Sequence, residues 1–159
     1  MPNFPLQDRS ADWAAQAPVV INRSFAVKAA PDAVFDVMAD LVGWSSWFKG
    51  MRKVQIDGDL SSGVGARRTV WVGATRAEER FLVWEPGQRM SFVLTAANLP
   101  GLAAMVEDYS LTPGADGGTV VTATIGVEGR LLLRPLHGLL KVGIGASTKG
   151  ITGLAELFG

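Results

Sequence analysis

The sequence predicts an α+β domain: a curved antiparallel sheet of seven strands wrapped around one long C-terminal helix, with two short helices after the first strand. Three observations carry this. Residues 51–128 fall into period-two apolar segments separated by turns rich in Gly and Pro. Leu133, Leu136, Leu140, Ile144, Ser147, Ile151, Leu154 and Phe158 then recur at spacings of three or four, the stripe of an amphipathic helix. In that order of elements, the final helix is the piece long enough to cover a sheet face.

Residues 1–17 hold two prolines and no sustained period, and are expected to form a loosely held N-terminal arm, with Trp13 resting on the body. Residues 18–159 are expected to form a single ligand-binding domain. Val19, Ile21, Phe25 and Val27 alternate with more polar neighbours, predicting a first strand over 19–28. Pro31 suits a first helical turn and Asp32 and Asp36 suit its positive end. Val34, Phe35, Met38 and Leu41 supply the apolar stripe and Gly43 ends it. Trp44 and Trp47, three apart, predict a second short helix. Further strands are expected near 51–57, 66–73, 76–85, 88–96, 105–112 and 119–128, joined mostly by hairpins. The segment 97–104 (ANLPGLAA) is longer and more apolar than a hairpin needs and is read as a lid. The C-terminal helix, opened by Pro135, would run for about 25 residues and about 37 Å. Gly138, Gly143, Gly145, Gly150 and Gly153 lie inside it, each costing about 1 kcal/mol relative to Ala. That cost is offset either by close packing or by room left for a ligand.

Composition narrows the function. A chain of 159 residues, 48% hydrophobic and 19% charged, suits one domain with a sizeable core. Fifteen Lys and Arg balance fifteen Asp and Glu, so there is no basic footprint for nucleic acid. The absence of Cys excludes disulfides, thiol nucleophiles and zinc ribbons. The single His, His137, falls on the polar side of the last helix and is expected to be solvated. No metal or cofactor is expected. The first residues lack a basic region followed by an apolar run, so a cytoplasmic protein, monomeric or homodimeric, is the expectation. Arg134, Lys141, Lys149 and the glycines interrupt the apolar stretch 131–158, which disfavours a membrane span. Arg130, Arg134, Lys141 and Lys149 against Glu156 allow at most weak contact with an anionic membrane surface.

Several pieces, taken in order, resemble a known family. They are the strand ending VKAAPDAVF, the segment 40–48 (DLVGWSSWF), GVGARR opening a strand, and VWEPGQRM at a hairpin. Together they are similar to the polyketide cyclase/dehydrase and lipid-transport superfamily (SRPBCC, START-like). Its helix-grip fold is shared with birch-pollen-type allergens and steroidogenic-acute-regulatory-type lipid-transfer domains. The resemblance covers residues 18–158 and implies a cavity between sheet and helix. Its members include aromatase/cyclases, lipid carriers and hormone receptors, so the fold alone does not choose an activity.

Within such a cavity Glu107 is the candidate acid or base, and Tyr109, the only Tyr, would donate to the same ligand atom. Both share a strand face with Met105 and Leu111, and burial there would raise the pKa of Glu107. Arg68 shares a face with Val70 and Val72, while Arg67 goes with Thr69 and Trp71, so one arginine, with Arg68 the candidate, is read as reaching the cavity to hold a carboxylate or enolate. Trp71, Phe81, Phe92, Leu94, Leu99, Met105, Leu140 and Ile144 are expected as pocket walls, whereas Trp44 and Trp47 read as structural. Three functions remain open. The first is binding or transport of an apolar lipid-, sterol- or polyketide-like molecule. The second is a cyclase or dehydratase using Glu107 and Tyr109. The third is a stress or regulatory protein acting through its surface, which a cavity below about 300 Å³ would favour.

Overall fold

The computed structural model describes residues 2–159. A two-residue strand, β1 (Phe4–Pro5), precedes the main sheet of β2 (Val19–Val27), β3 (Met51–Asp57), β4 (Arg67–Val72), β5 (Thr75–Glu85), β6 (Arg89–Ala97), β7 (Leu102–Pro113) and β8 (Thr119–Gly129). The seven long strands are all paired antiparallel in the order β2-β8-β7-β6-β5-β4-β3. From β3 to β8 the sheet is a meander of hairpins. The first strand closes it by pairing with the last, Val19 opposite Val127 and Val27 opposite Thr119. Register shifts in β3, β5 and β7 are bulges of the kind that bend a strand and increase its twist.

Helices α1 (Pro31–Ala39) and α2 (Trp44–Trp47) follow β2. Pro31 opens α1, and Val34, Phe35 and Met38 are buried on one face. Phe35 meets Trp84 of β5 edge-on, ring centres 5.7 Å apart. The indole of Trp44 donates to the Met38 carbonyl at 2.7 Å, tying α2 to the end of α1.

The C-terminal segment is helical from Leu131 to Leu157, but not as one regular α-helix. A 3-10 stretch (Leu131–Leu136) leads into α3 (His137–Thr148), and another (Lys149–Thr152) leads into α4 (Gly153–Leu157). The expected stripe is buried unevenly. Within it Ile144, Ile151 and Leu154 are buried, whereas Leu133 and Leu140 are only half-buried and Leu136 is 47% exposed; off the stripe, Leu131, Leu132, Leu139 and Val142 face solvent. The five glycines divide the same way. A side chain at Gly150 would strike Phe48, and one at Gly153 the Trp47 carbonyl, while the positions at Gly138 and Gly143 are open. Close packing therefore accounts for the first pair, and the Lys49 amide donates to the Gly150 carbonyl at 3.1 Å in that contact.

Two expectations about connecting segments are corrected. The N-terminal residues are docked rather than loose. β1 pairs with the end of β6, and the Leu6 and Gln7 amides donate to Thr95 and Ala103, filling the gap where β6 and β7 part. A 3-10 turn (Ala11–Gln16) then lies on the outer sheet face, where Ala14 packs with Val93 and Val106. Gly126 permits this, since a Cβ there would stand 2.6 Å from the Ala14 Cα. The segment 97–104 is also shorter as a loop than expected, because β6 and β7 extend into it and leave only residues 98–101.

Candidate functional site

Period-two alternation sends one set of side chains from β4 to β7 toward the C-terminal helices. Arg68 and Val70 of β4, Ala77 and Glu79 of β5, Phe92 and Leu94 of β6, and Met105 and Glu107 of β7 all line one cavity. Ile144, Ser147 and Thr148 of the C-terminal helix close it from the other side. The remaining wall comes from Trp44, Phe48, Met51, Val72, Thr75 and Leu99. The cavity volume is about 70 Å³, well below the roughly 300–1,000 Å³ of pockets that hold drug-sized ligands.

Its polar end is a buried charged cluster. Arg68 and Glu79 stand directly opposite each other across β4 and β5, and the Arg68 Nε donates to Glu79 Oε2 at 2.6 Å. The guanidinium carbon lies 4.2 Å from the Trp44 ring centre and 5.2 Å from those of Phe81 and Phe92, so aromatic faces hold the plane of the cation. The Tyr109 hydroxyl donates to Glu107 Oε2. Burial, reinforced by the nearby Glu79 carboxylate, pushes Glu107 up to about 7, against the lowering effects of Tyr109 and Arg68. Burial likewise raises Glu79, with Arg68 opposing it. Tyr109 is pushed well above its ordinary value by burial and by Glu107 beside it.

Of the residues singled out in the sequence, Arg68, Phe92, Leu94, Leu99, Met105, Glu107 and Ile144 line the cavity. Four others do not. Tyr109 is wholly buried behind Glu107 and reaches the cavity only through it. Phe81 lies beneath Arg68 against Phe92, ring centres 5.2 Å apart. Trp71 belongs to the outer face of β4, where the Lys53 ammonium sits 4.6 Å from its ring centre, because its parity along the strand is opposite to that of Arg68. Leu140 is half-buried and packs on the core outside the cavity. His137, expected in solvent, is partly buried, and its Nε2 accepts from the Gly129 amide at 3.2 Å.

Glu79 and Trp44 are the residues that sequence reasoning missed. The signal for Glu79 was available: it sits six residues after the Gly73 turn as Arg68 sits five before it, so a tight hairpin would set them opposite each other. Trp44 was read as structural, and its spacing gives no hint that it stacks on a cation.

A model of the polyketide cyclase/dehydrase and lipid-transport family matches residues 18–159. The chain belongs to this family. An uncharacterized protein of Mycobacterium tuberculosis is 27% identical over 123 residues, covering 77% of this chain and 73% of its own length. A START superfamily protein from Mycobacterium smegmatis superposes with a TM-score of 0.64 at 13% identity, covering 88% of this chain and 99% of that one. The major latex-like protein 151 of Panax ginseng gives 0.63 at 12% identity, covering 83% and 97%. At these identities the structural likeness shows the fold alone. Among the described residues, no helix is long and apolar enough to cross a membrane.

Proposed function

We propose that this family member binds an apolar small molecule between the sheet and the C-terminal helix, in the manner of a carrier or storage protein. The observation that carries the reading is the cavity itself. Apolar walls from Phe92, Leu94, Met105 and Ile144 end at a buried Arg68–Glu79–Glu107 cluster, a polar pole in a greasy chamber. At about 70 Å³ the closed chamber is below the roughly 300 Å³ under which a surface-acting protein is favoured, so the ligand-binding reading requires the helix to shift outward before a lipid-sized ligand enters. The first half of the helical segment is the part suited to that movement, since its stripe residues Leu133 and Leu140 are only half-buried and Leu136 is exposed. Native mass spectrometry of gently purified protein should show an added apolar mass, and Nile red should bind the ligand-free chain. A bare mass together with no dye uptake would remove this reading and leave a protein that acts through its surface.

A second reading is a cyclase- or dehydratase-type enzyme, favoured by the position of Glu107. A buried carboxyl group poised near neutrality in a largely apolar cavity is suited to moving a proton to or from a carbonyl compound. Tyr109 then acts as a positioning residue that fixes the carboxyl group, and Arg68 as the cation facing developing negative charge. Glu107→Gln separates the two readings: a carrier keeps its dye affinity and loses nothing else, whereas an enzyme keeps that affinity and loses turnover of a polyketide-like substrate.

A further inference from the structure

We propose that the first half of the C-terminal helical segment docks this protein on an anionic lipid bilayer, lying along the surface with an outer apolar ridge among the acyl chains. The inference stands whether or not the cavity is occupied. Spacing along the sequence gives this segment one apolar stripe, and the structure shows a second that faces the opposite way. Within α3, Ile144 and Thr148 turn inward and are buried. At about 100° per residue, Leu139, Val142 and Ala146 share the opposite face. Leu139 and Val142 are 70% and 72% exposed, and Leu131 and Leu132, at 71% and 91%, extend the exposed apolar surface toward the start of the segment. Gly138 and Gly143 have nothing within 4 Å of their Cβ positions, so the chain leaves this side of the helix uncovered. A helix apolar on both faces is ordinarily buried on both, and clustered exposed leucines mark a surface that meets another apolar phase.

Charge selects the partner. No Asp or Glu falls between Glu128 and Glu156, whereas Arg130, Arg134, Lys141 and Lys149 do. Both bounding acids are already paired, Glu128 with Arg9 at 3.1 Å and Arg134 at 3.4 Å, and Glu156 with Lys49. In a chain of zero formal charge, an excess of cations is therefore concentrated on the segment that bears the ridge. Lys141 lies on the flank between the buried and the exposed face, from which its stem carries the ammonium to headgroup level while the ridge goes deeper. A second copy of the chain would set these cations against their own kind, with no acid in the segment to answer them. A protein partner would need an acidic groove shaped to a protruding ridge, whereas a bilayer deforms around it. Among the described residues no helix is long and apolar enough to cross a membrane, so the contact runs along the surface.

The test is co-sedimentation of the full chain with vesicles of phosphatidylcholine alone and of phosphatidylcholine with about one-third phosphatidylglycerol. Binding to the anionic vesicles should be at least about tenfold stronger, and should fall about tenfold or more as salt rises from about 0.1 to about 0.5 M. Leu132→Ser combined with Leu139→Ser should weaken it at least about tenfold, from the apolar area no longer buried in lipid. Lys141→Gln combined with Lys149→Gln should also weaken it, by about fivefold per cation. All four side chains are exposed, so urea unfolding midpoints should stay close to wild type. Because the chain has no Cys, a nitrobenzoxadiazole label on Val142→Cys reports the ridge alone. It should brighten and shift to the blue on the anionic vesicles, whereas the same label on Gln16→Cys, on the outer sheet face, should not. Equal uptake by both vesicles, salt-independent binding, undiminished binding by either double variant, or a silent label on bound Val142→Cys would each overturn the proposal. So would the absence of uptake. A concentration-dependent dimer that the Leu→Ser pair abolishes would then assign the ridge to a second copy, and a monomer would assign it to a protein partner.

Discussion

Glu107 is the residue whose environment differs most from water in a way that function can use. Its pKa moves from an ordinary 4.5 to about 7 because burial disfavours the carboxylate and Glu79 repels it. Between those values the folded chain keeps a proton that the unfolded chain has released. Folded stability therefore falls as pH rises from the lower value to the higher, and levels off above it. Glu107→Gln has no proton to lose. Its stability relative to wild type should grow across that window by up to about 3 kcal/mol, measured by urea unfolding at several pH values. A constant difference across the window would mean that Glu107 is solvated or ionised throughout. Arg68 and Glu79 belong to the same scale. Their cross-strand pairing removes two charges from water together, and each is tolerable inside only because the other is there.

At the scale of elements, the C-terminal helical segment is held at one end and lightly seated at the other. Gly150 and Gly153 let its last turns rest on the backbone of α2 and Lys49, with Ile151 and Leu154 wholly buried beside them. Gly153→Ala drives a methyl group into the Trp47 carbonyl and should cost at least about 2 kcal/mol, as overpacking against rigid backbone does. Gly138→Ala and Gly143→Ala meet open space and should each stabilise by about 0.5–1 kcal/mol through helix propensity. Opposite signs at the two ends in urea titrations would support the asymmetry. Equal losses at all three positions would show the segment packed along its whole length. The asymmetry matters for ligand entry, because Ile144, Ser147 and Thr148 form the helical wall of the cavity and lie at the junction between the two halves.

Over the whole molecule, the sheet carries different contents on its two faces. The inner face holds the cavity and its charges. The outer face of β6 and β7 is covered by the N-terminal arm, pinned by Arg80 to Asp8 at 2.6 Å and by Arg89 to Asp12 at 3.0 Å. Ala14→Asp places a charge at a buried contact with Val93 and Val106. It should release the arm at a cost of about 2 kcal/mol or more, since each re-exposed Val is worth about 1.5–3 kcal/mol. An unfolding midpoint within error of wild type would mean that the arm adds nothing. The sequence alone determined the strands and which side chains share a face, because a period of two sorts the residues of a strand whatever its partner. That is why Glu107 was grouped with Tyr109 and Arg68 with Val70, and why the order of elements could be read along the chain, whereas which face turns inward came from the packing of sheet against helix. Alternation says nothing about distances between elements remote in the chain, so only the tertiary structure decided the size of the cavity, the docking of the arm and the uneven seating of the helix. Trp71 and Tyr109 show the boundary in single residues. Trp71 has the wrong parity for the chamber it was expected to line, and Tyr109 has the right parity but is shut off by the side chain in front of it.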